Sequence, residues 1–269
     1  MYRIWKRWLP GRLRRRLMVG FYEAAARADR GGELAFLNHG FDDDAAPEGL
    51  DLPDDPAGRH GALLYERLAR EIEWRGCRVL EISAGQGGGA DWLFRSCRPK
   101  QIIGVDIACA AVARATERFG RDGLSFEVAD ALDLPFSAGA FDIVVNVESS
   151  LNYASFEKFL AEVDRVLAPG GHLLLADYRS QRKRVAFEAA VSGLGYETIW
   201  SGDMTAGVLA GFDATAAAKR DLIDRTAPRP LRPLARRVAD LAEDGTASGR
   251  QRFADGRRVY LGFALRKPG

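Results

Sequence analysis

Residues 79–90 read VLEISAGQGGGA, an apolar run followed by an acidic residue and a glycine-rich loop. The apolar run predicts a buried strand that ends at Glu81. The loop, with glycines at 85, 87, 88 and 89, favours a tight turn into a helix from Ala90. Glycine lets backbone approach a ligand closely, and a helix N-terminus favours nucleotide-like anions. The pattern is not the G-x-G-x-x-G dinucleotide fingerprint, and taken alone it is also typical of a purely structural turn.

Short, nearly continuous apolar runs follow this segment, with helical stretches between them. The stretch 156–167 carries apolar residues at helical spacing and ends at Ala-Pro-Gly-Gly, residues 168–171, where a helix has to stop. Alternating strands and helices predict an α/β fold with a doubly wound, mostly parallel sheet. The predicted strands cover residues 78–82, 101–106, 124–128, 141–147, 172–178 and 258–265, with another near 197–200.

The chain divides into three predicted parts. Residues 42–59 are acidic and rich in proline and glycine, so they are predicted to form a loop. This loop closes a helical N-terminal arm over residues 1–58. An α/β core follows over 59–180, and residues 181–269 hold a helical, lid-like insertion and the final strands.

Charge and composition exclude several classes of protein. The chain has 269 residues and a net charge of +2, from 39 Lys and Arg against 37 Asp and Glu, which argues against a nucleic-acid binder. Its three cysteines lack C-x-x-C spacing and its three histidines are scattered, so we predict no metal site, no disulfide framework and a cytoplasmic location. No apolar run reaches the length of about 18 residues that spans a membrane.

The N-terminus concentrates basic charge. Residues 3–16 contain seven arginines and lysines and no acid, interleaved with tryptophan, leucine and isoleucine. One interpretation is an amphipathic helix on an anionic membrane surface, which would make the protein peripherally membrane-associated. The other is a helix that packs its tryptophans on the domain and solvates its arginines. Pro10-Gly11 interrupts the pattern and favours the second interpretation.

Polar residues follow the predicted strands at the edge where α/β proteins bind ligands. Asp106 ends the second strand and can accept hydrogen bonds from ribose hydroxyls, or else cap the next helix. Ile107 is expected against an adenine face. Asp130 and Ala131 can bond the adenine amine, although Asp130 could simply cap a turn. Further contacts to an adenosyl ligand are expected from Glu81, Ser83, Gly85, Gly87 and Asn146.

These motifs resemble those of class I S-adenosylmethionine-dependent methyltransferases over residues 75–180, beginning with E-x-x-x-G-x-G at 81–87. The chain is most similar to the phthiotriolone dimycocerosate and small-molecule O-methyltransferase group, through EISAGQGGGA at 81–90, NVESSLNY at 146–153 and residues 159–179. The resemblance implies a seven-stranded Rossmann-like sheet, S-adenosyl-L-methionine as cofactor, and O-methylation of a hydrophobic natural product or lipid-like metabolite. The chain departs from the pattern at Ser83, Ala84 and Leu151, since the lipid enzymes carry a histidine at position 151.

Candidates for a catalytic base are few. Glu148 follows the fourth strand, and His60 precedes a helix predicted over 61–72 that should cover the cofactor together with Tyr65. His39 is a further candidate, and each of these residues has a structural alternative. His172 lies at the wrong end of its strand. An apolar acceptor pocket is expected between the arm at 18–45 and the helices at 180–240, from Phe21, Tyr22, Phe36, Phe41, Phe187, Trp200 and Phe212, several of which could equally be core.

Two other functions remain open at this point. The methyl group could be transferred to nitrogen or carbon of a secondary metabolite. Alternatively, the chain could keep the fold and work as a cyclase or a binding protein that no longer transfers methyl. The absence of a histidine at position 151 favours this second alternative, whereas the acidic residues at successive strand ends favour a retained cofactor.

Overall fold

The computed structural model describes residues 19–20, 23–24, 26–27, 35–42, 46–226 and 249–269. The strands are β1 (Arg78–Ile82), β2 (Gln101–Asp106), β3 (Leu124–Val128), β4 (Phe141–Val147), β5 (Leu167–Ser180), β6 (Glu197–Asp203) and β7 (Arg258–Arg266). The helices are α1 (Pro56–Ala69), α2 (Gly88–Cys97), α3 (Cys109–Phe119), α4 (Phe156–Val166), α5 (Arg184–Ser192), α6 (Thr205–Thr226) and α7 (Gly249–Ala254), with 3-10 turns at Ser150–Asn152 and Gln181–Lys183.

The strands form one sheet in the order β3-β2-β1-β4-β5-β7-β6. Strands β1 to β5 pair in parallel, and only β7 runs antiparallel to its neighbours β5 and β6. Ile82 at the end of β1 pairs with Val105 on one side and Asn146 on the other, so three strands end at the same edge. The predicted doubly wound, mostly parallel seven-stranded fold is confirmed.

Both faces of the sheet are buried, which explains the continuous apolar runs in the sequence. Val79 and Leu80 are fully buried on opposite faces because successive strand residues alternate. Helices α1, α2, α3, α6 and α7 cover the face of Val79, whereas α4 and α5 cover the face of Leu80. Phe187 on α5 packs in this second layer, so it belongs to the core rather than to an acceptor pocket.

The predicted bounds of β1 to β4 are confirmed residue for residue. The predicted loop over 42–59 is wrong at its end, because α1 already begins at Pro56. Asp55 caps this helix by accepting from Gly58 N at 2.7 Å, and proline is well tolerated at the first helical position. Strand β5 begins five residues before the predicted His172, since Leu167 already pairs with Phe141 ahead of a register shift.

Residues 35–42 of the arm cross from the glycine-rich turn to α1 and α6. Gly88 N donates to Ala35 O at 3.1 Å, Asn38 Nδ2 to Gly61 O at 3.0 Å, and Asp42 N to Gly207 O at 3.0 Å. This segment, called the strap below, therefore spans the edge at which the parallel strands end. The basic residues 3–16 and the aromatic residues Phe21 and Tyr22 lie outside the described residues. Within the described part of the chain, no helix is both long and apolar enough to cross a membrane.

The start of α2 depends on a glycine at position 89. A methyl group added there would lie 2.1 Å from Tyr65 Cζ, so α1 or α2 would have to shift. We expect Gly89→Ala to lower the free energy of unfolding by about 1–3 kcal/mol, the usual range for overpacking a core. In the control Gly193→Ala, the added methyl comes no nearer than 3.3 Å to another atom. Chemical denaturation that finds equal stability for both variants would contradict this packing.

Candidate functional site

A cavity lies at the carboxyl ends of β1, β2 and β4, under the strap. The register of these parallel strands brings their polar terminal residues together at one edge. Of the residues proposed from the sequence, those that line the cavity are Phe36, Tyr65, Ser83, Gly85, Asp106, Ile107, Asp130, Ala131 and Glu148. Other lining residues include Leu37, Asn38, Gln86, Leu132, Leu151 and Tyr153.

The turn after β1 supplies backbone and one amide side chain to the cavity. Ser83, Gly85 and Gly87 all have positive φ angles, of 62°, 56° and 87°, and glycine adopts this conformation without strain. Gly87 itself does not line the cavity, and its Cα instead packs closely on Phe126 and Ala115. The Gln86 side chain is only 4% exposed, and its Nε2 has no hydrogen-bond partner among the described residues. A buried donor in a cavity wall is costly unless a ligand or water satisfies it.

Asp106 pins this turn from the neighbouring strand. Its Oδ2 accepts from Gly85 N at 3.0 Å and its Oδ1 from Ala108 N at 2.9 Å. Burial raises the pKa of the Asp106 carboxyl, while these backbone donors act in the opposite direction. The structural role that the sequence left open is therefore present, and the same carboxyl group also faces the cavity. A carboxylate can accept about four hydrogen bonds, so the two roles are compatible.

Glu81 lies beneath the turn and does not line the cavity. Its Oε1 accepts from the Tyr65 hydroxyl at 2.7 Å, and the residue is 1% exposed. Burial raises the pKa of Glu81 from 4.5 to about 7, an effect that the Tyr65 bond partly offsets. Burial and the Glu81 carboxyl also raise the pKa of Tyr65, which therefore stays a donor. The pair ties α1 to β1 and supports the turn from below.

A cluster of hydroxyl groups joins the ends of β1 and β4. The Tyr153 hydroxyl lies 2.8 Å from each of three atoms, namely Ser83 Oγ, Ser149 Oγ and Asn146 Nδ2. Asn146 is fully buried, and its Nδ2 also donates to Ile82 O at 3.0 Å. Asn146 thus lies behind the cavity wall rather than in it. Burial raises the pKa of Tyr153, so this phenol stays protonated and is not a base, and it accepts a hydrogen bond from Asn146 Nδ2.

The region expected to hold an adenine ring is formed by residues after β2 and β3. Ile107, Ala131 and Leu132 present apolar surface to the cavity. Asp130 Oδ1 accepts from Leu132 N at 3.1 Å, which is the turn-capping role that the sequence left open. Asp130 also lines the cavity, beside these apolar residues.

Glu148 stands at the other end of the cavity, directly after β4. It adopts a positive φ of 52°, and backbone strain of this kind in a non-glycine residue is often found at functional sites. His39 N lies 2.9 and 3.1 Å from its two oxygens, and the Tyr260 hydroxyl donates to Oε1 at 3.0 Å. The His39 ring stacks on Tyr178 and packs on Phe212, with Nδ1 3.6 Å from Glu148 Oε2.

A buried ion pair fixes the turn after Glu148. Asp177 Oδ2 accepts from Ser150 Oγ at 2.5 Å and from Leu151 N at 2.9 Å, and Arg179 pairs with this carboxyl at 3.0 Å. Asp177 is fully buried, so this pair sets the position at which Leu151 meets the cavity. The sequence alone could not assign this role to Asp177, because Ser150 and Leu151 meet its carboxyl group only when β5 lies beside β4.

Two of the histidines considered from the sequence lie elsewhere. His60 is within α1 and not before it, and its Nδ1 is 3.2 Å from Phe41 O. This contact holds the strap on α1, and His60 is not among the residues that line the cavity. His172 pairs with Ile143 near the start of β4, at the opposite end of these strands from the cavity. The structure therefore brings Glu148, and neither of these histidines, to the cavity.

The Glu81 environment predicts a pH-dependent stability. Because the native pKa is raised to about 7 from 4.5, this group contributes stability that is complete below pH 4.5 and is lost as pH rises to 7. Glu81→Gln removes the titration. The stability of the wild type relative to Glu81→Gln should therefore fall by about 3 kcal/mol between pH 4.5 and pH 8, at about 1.4 kcal/mol per pKa unit. Urea denaturation at several pH values measures it, and a constant difference would contradict the buried, protonated carboxyl.

Comparison with known proteins agrees with this geometry. Residues 80–175 match the family model described as a methyltransferase domain. The chain is 36% identical over 231 residues to phthiotriol/phenolphthiotriol dimycocerosates methyltransferase 1 of Mycobacterium ulcerans, covering 86% of this chain and 80% of that one. It is 35% identical over 233 residues to a fatty-acid O-methyltransferase of Mycolicibacterium smegmatis, covering 84% and 85% of the two chains.

The fold is similar to that of the cyclase SpnF, with a TM-score of 0.70 and 20% identity over 93% of this chain and 95% of that one. At this identity the likeness concerns the fold alone. The relatives at 35–36% identity over most of both chains decide the family. The chain is an enzyme of the S-adenosyl-L-methionine-dependent methyltransferase family, in the group that includes the phthiotriol/phenolphthiotriol dimycocerosates methyltransferases.

Proposed function

We propose that the enzyme methylates an oxygen atom of a hydrophobic, lipid-like acceptor. The observation that carries the proposal is the division of the cavity into two ends. One end has backbone and carboxylates at the termini of β1 and β2, and the other has Glu148 with the apolar residues Val147 and Leu151 close to it in sequence. The names of the two relatives, one acting on phthiotriol dimycocerosates and one on fatty acids, support a lipid-like acceptor.

The residues present suit the cofactor. Asp106 would hold the ribose hydroxyls, and Ile107 would lie along the adenine with Asp130 and Ala131 near its amine. Gly85 and Ser83 would meet the methionine part. The buried Nε2 of Gln86 is a donor that has no partner in the described part of the chain, and it could bind a carboxylate of the ligand. When bound, S-adenosyl-L-methionine supplies an electrophilic methyl group.

The chain's own contribution is alignment, exclusion of water and removal of a proton. Alignment of reacting groups can contribute roughly 7–11 kcal/mol to lowering a barrier. The strap closes over the cavity through Ala35, Leu37 and Asn38, which limits access of water. Glu148 is the side chain placed to accept a proton from the acceptor, and the proton acceptor of such a reaction typically contributes about 10²–10⁴-fold in rate.

We propose that three supporting residues affect cofactor binding indirectly, namely Glu81, Asn146 and Gly87. Glu81 supports the turn through Tyr65, Asn146 joins β1 to β4, and Gly87 allows the turn to pack on Phe126. Substitution of these residues should change the shape of the cofactor site without removing a contact to the cofactor.

Cofactor binding can be tested with Asp106→Ala. Loss of a charged hydrogen-bond partner commonly costs about 1.5–3 kcal/mol, so we expect the dissociation constant for S-adenosyl-L-methionine to rise about 10- to 100-fold. Isothermal titration calorimetry measures the change, and Asp133→Ala, an acidic residue that does not line the cavity, serves as a matched control. Equal affinity in both variants would contradict the assignment of the ribose.

Methyl transfer can be tested directly. The wild-type enzyme should release S-adenosylhomocysteine in the presence of a long-chain acceptor that carries oxygen, and mass spectrometry should place the added methyl on that oxygen. A methyl on nitrogen or carbon would redirect the proposal to the corresponding methyltransferases. Conversion of the acceptor without S-adenosylhomocysteine would favour a cyclase and contradict the proposal.

A further inference from the structure

We propose that Glu148 selects acceptors by the charge of the group to be methylated. It favours a neutral hydroxyl and rejects a carboxylate. The inference rests on the proposed O-methyl transfer and makes its substrate class narrower. It concerns a choice that the relatives leave open, since one of them is named for fatty acids and another for phthiotriol dimycocerosates.

The first argument is that Glu148 is held rigidly as a hydrogen-bond acceptor. His39 N donates to both of its oxygens and the Tyr260 hydroxyl donates to Oε1, so both carboxyl oxygens are fixed as acceptors. Burial and the Glu148 charge raise the pKa of Tyr260, so its hydroxyl remains a donor. The Glu148 side chain is 8% exposed, and the donors come from the strap and from β7, far apart in sequence.

The second argument is the charge of the cavity wall. Among the described residues that line the cavity, the ionisable acids are Asp106, Asp130 and Glu148, and none is a lysine, an arginine or a histidine. A carboxylate acceptor would therefore meet the Glu148 carboxylate with no cationic side chain in the described cavity wall, and the nearest basic group, the His39 ring, lies outside that wall with Nδ1 3.6 Å from Glu148 Oε2. Like charges brought together at a binding site are strongly unfavourable, whereas a hydroxyl can donate to Glu148.

The third argument is the surface beside Glu148. Val147 and Leu151, which stand one residue before and three residues after Glu148, also line the cavity, and Leu151 is held there by the bond from its backbone N to Asp177. A hydroxyl on an apolar body would place its oxygen at Glu148 and its body on these two apolar side chains. An oxygen lone pair then forms the bond to the methyl group, the electron pair of the sulfur–methyl bond returns to sulfur, and the hydroxyl proton passes to Glu148.

A matched pair of acceptors tests the inference. A para-alkylphenol and a para-alkylbenzoic acid with the same alkyl group have similar size. At neutral pH the phenol is uncharged, whereas the benzoic acid is ionised. We expect the wild-type enzyme to methylate the phenol at least about 100-fold more efficiently in kcat/KM. In Glu148→Gln, phenol turnover should fall about 10²–10⁴-fold because the proton acceptor is lost, whereas benzoate turnover should rise.

Tyr260→Phe tests the positioning of Glu148 without changing its charge. It should lower kcat for the phenol several-fold and leave the KM for S-adenosyl-L-methionine unchanged. Tyr196→Phe is the matched control, because it removes another hydroxyl–carboxyl bond, to Asp164, at a residue that does not line the cavity. The control should have wild-type kinetics.

The outcomes separate this inference from the proposed function. Preference for the benzoate by the wild-type enzyme, or an acceptor preference that Glu148→Gln leaves unchanged, would overturn the inference while O-methyl transfer stands. If Glu148→Gln fails to fold, equal kinetics of Tyr260→Phe and Tyr196→Phe would overturn it. Absence of S-adenosylhomocysteine with both acceptors would overturn the proposed function, and the inference with it.

Discussion

The glycines in the turn at residues 83–89 have no side chains that could hold its shape. Other elements must hold the turn, and this constraint organises the structure around it. Neighbouring elements supply the support. Asp106 on β2 accepts from Gly85 N, the Glu81–Tyr65 pair carries α1 beneath the turn, and the strap binds Gly88 N through Ala35 O. Because each support comes from a different element, the turn has its shape only when the sheet, α1 and the strap are assembled.

The same arrangement separates the two ends of the site. The parallel order β2-β1-β4 places Asp106 on one side of the turn and Glu148 on the other. The proposed contacts to the methyl donor thus lie at β1 and β2, while the proposed proton acceptor stands after β4, held by His39 and Tyr260. The antiparallel strand β7 brings Tyr260 to this place. Strand β7, the last strand in the sequence, therefore contributes to the acceptor side of the site as well as to the core.

The sequence predicted the parts of the site that depend on local pattern. Strand ends could be located from apolar runs, so Asp106, Asp130 and Glu148 were found without tertiary information. Contacts between distant segments could not be predicted this way: His39 and Tyr260 lie 109 and 112 residues from Glu148. The sequence placed His60 before a helix, because Asp55 was assigned to the acidic loop and not recognised as a helix cap. Helix α1 begins at Pro56, so His60 lies within it and its ring contacts Phe41 O.

The most direct test of the central claim is a crystal structure of the enzyme with S-adenosylhomocysteine. We predict that the ligand lies at the carboxyl ends of β1, β2 and β4, with its ribose hydroxyls on Asp106, its adenine along Ile107, and its sulfur directed to the end of the cavity where Glu148 stands. A ligand bound elsewhere, or bound here with its ribose turned away from Asp106, would contradict the account.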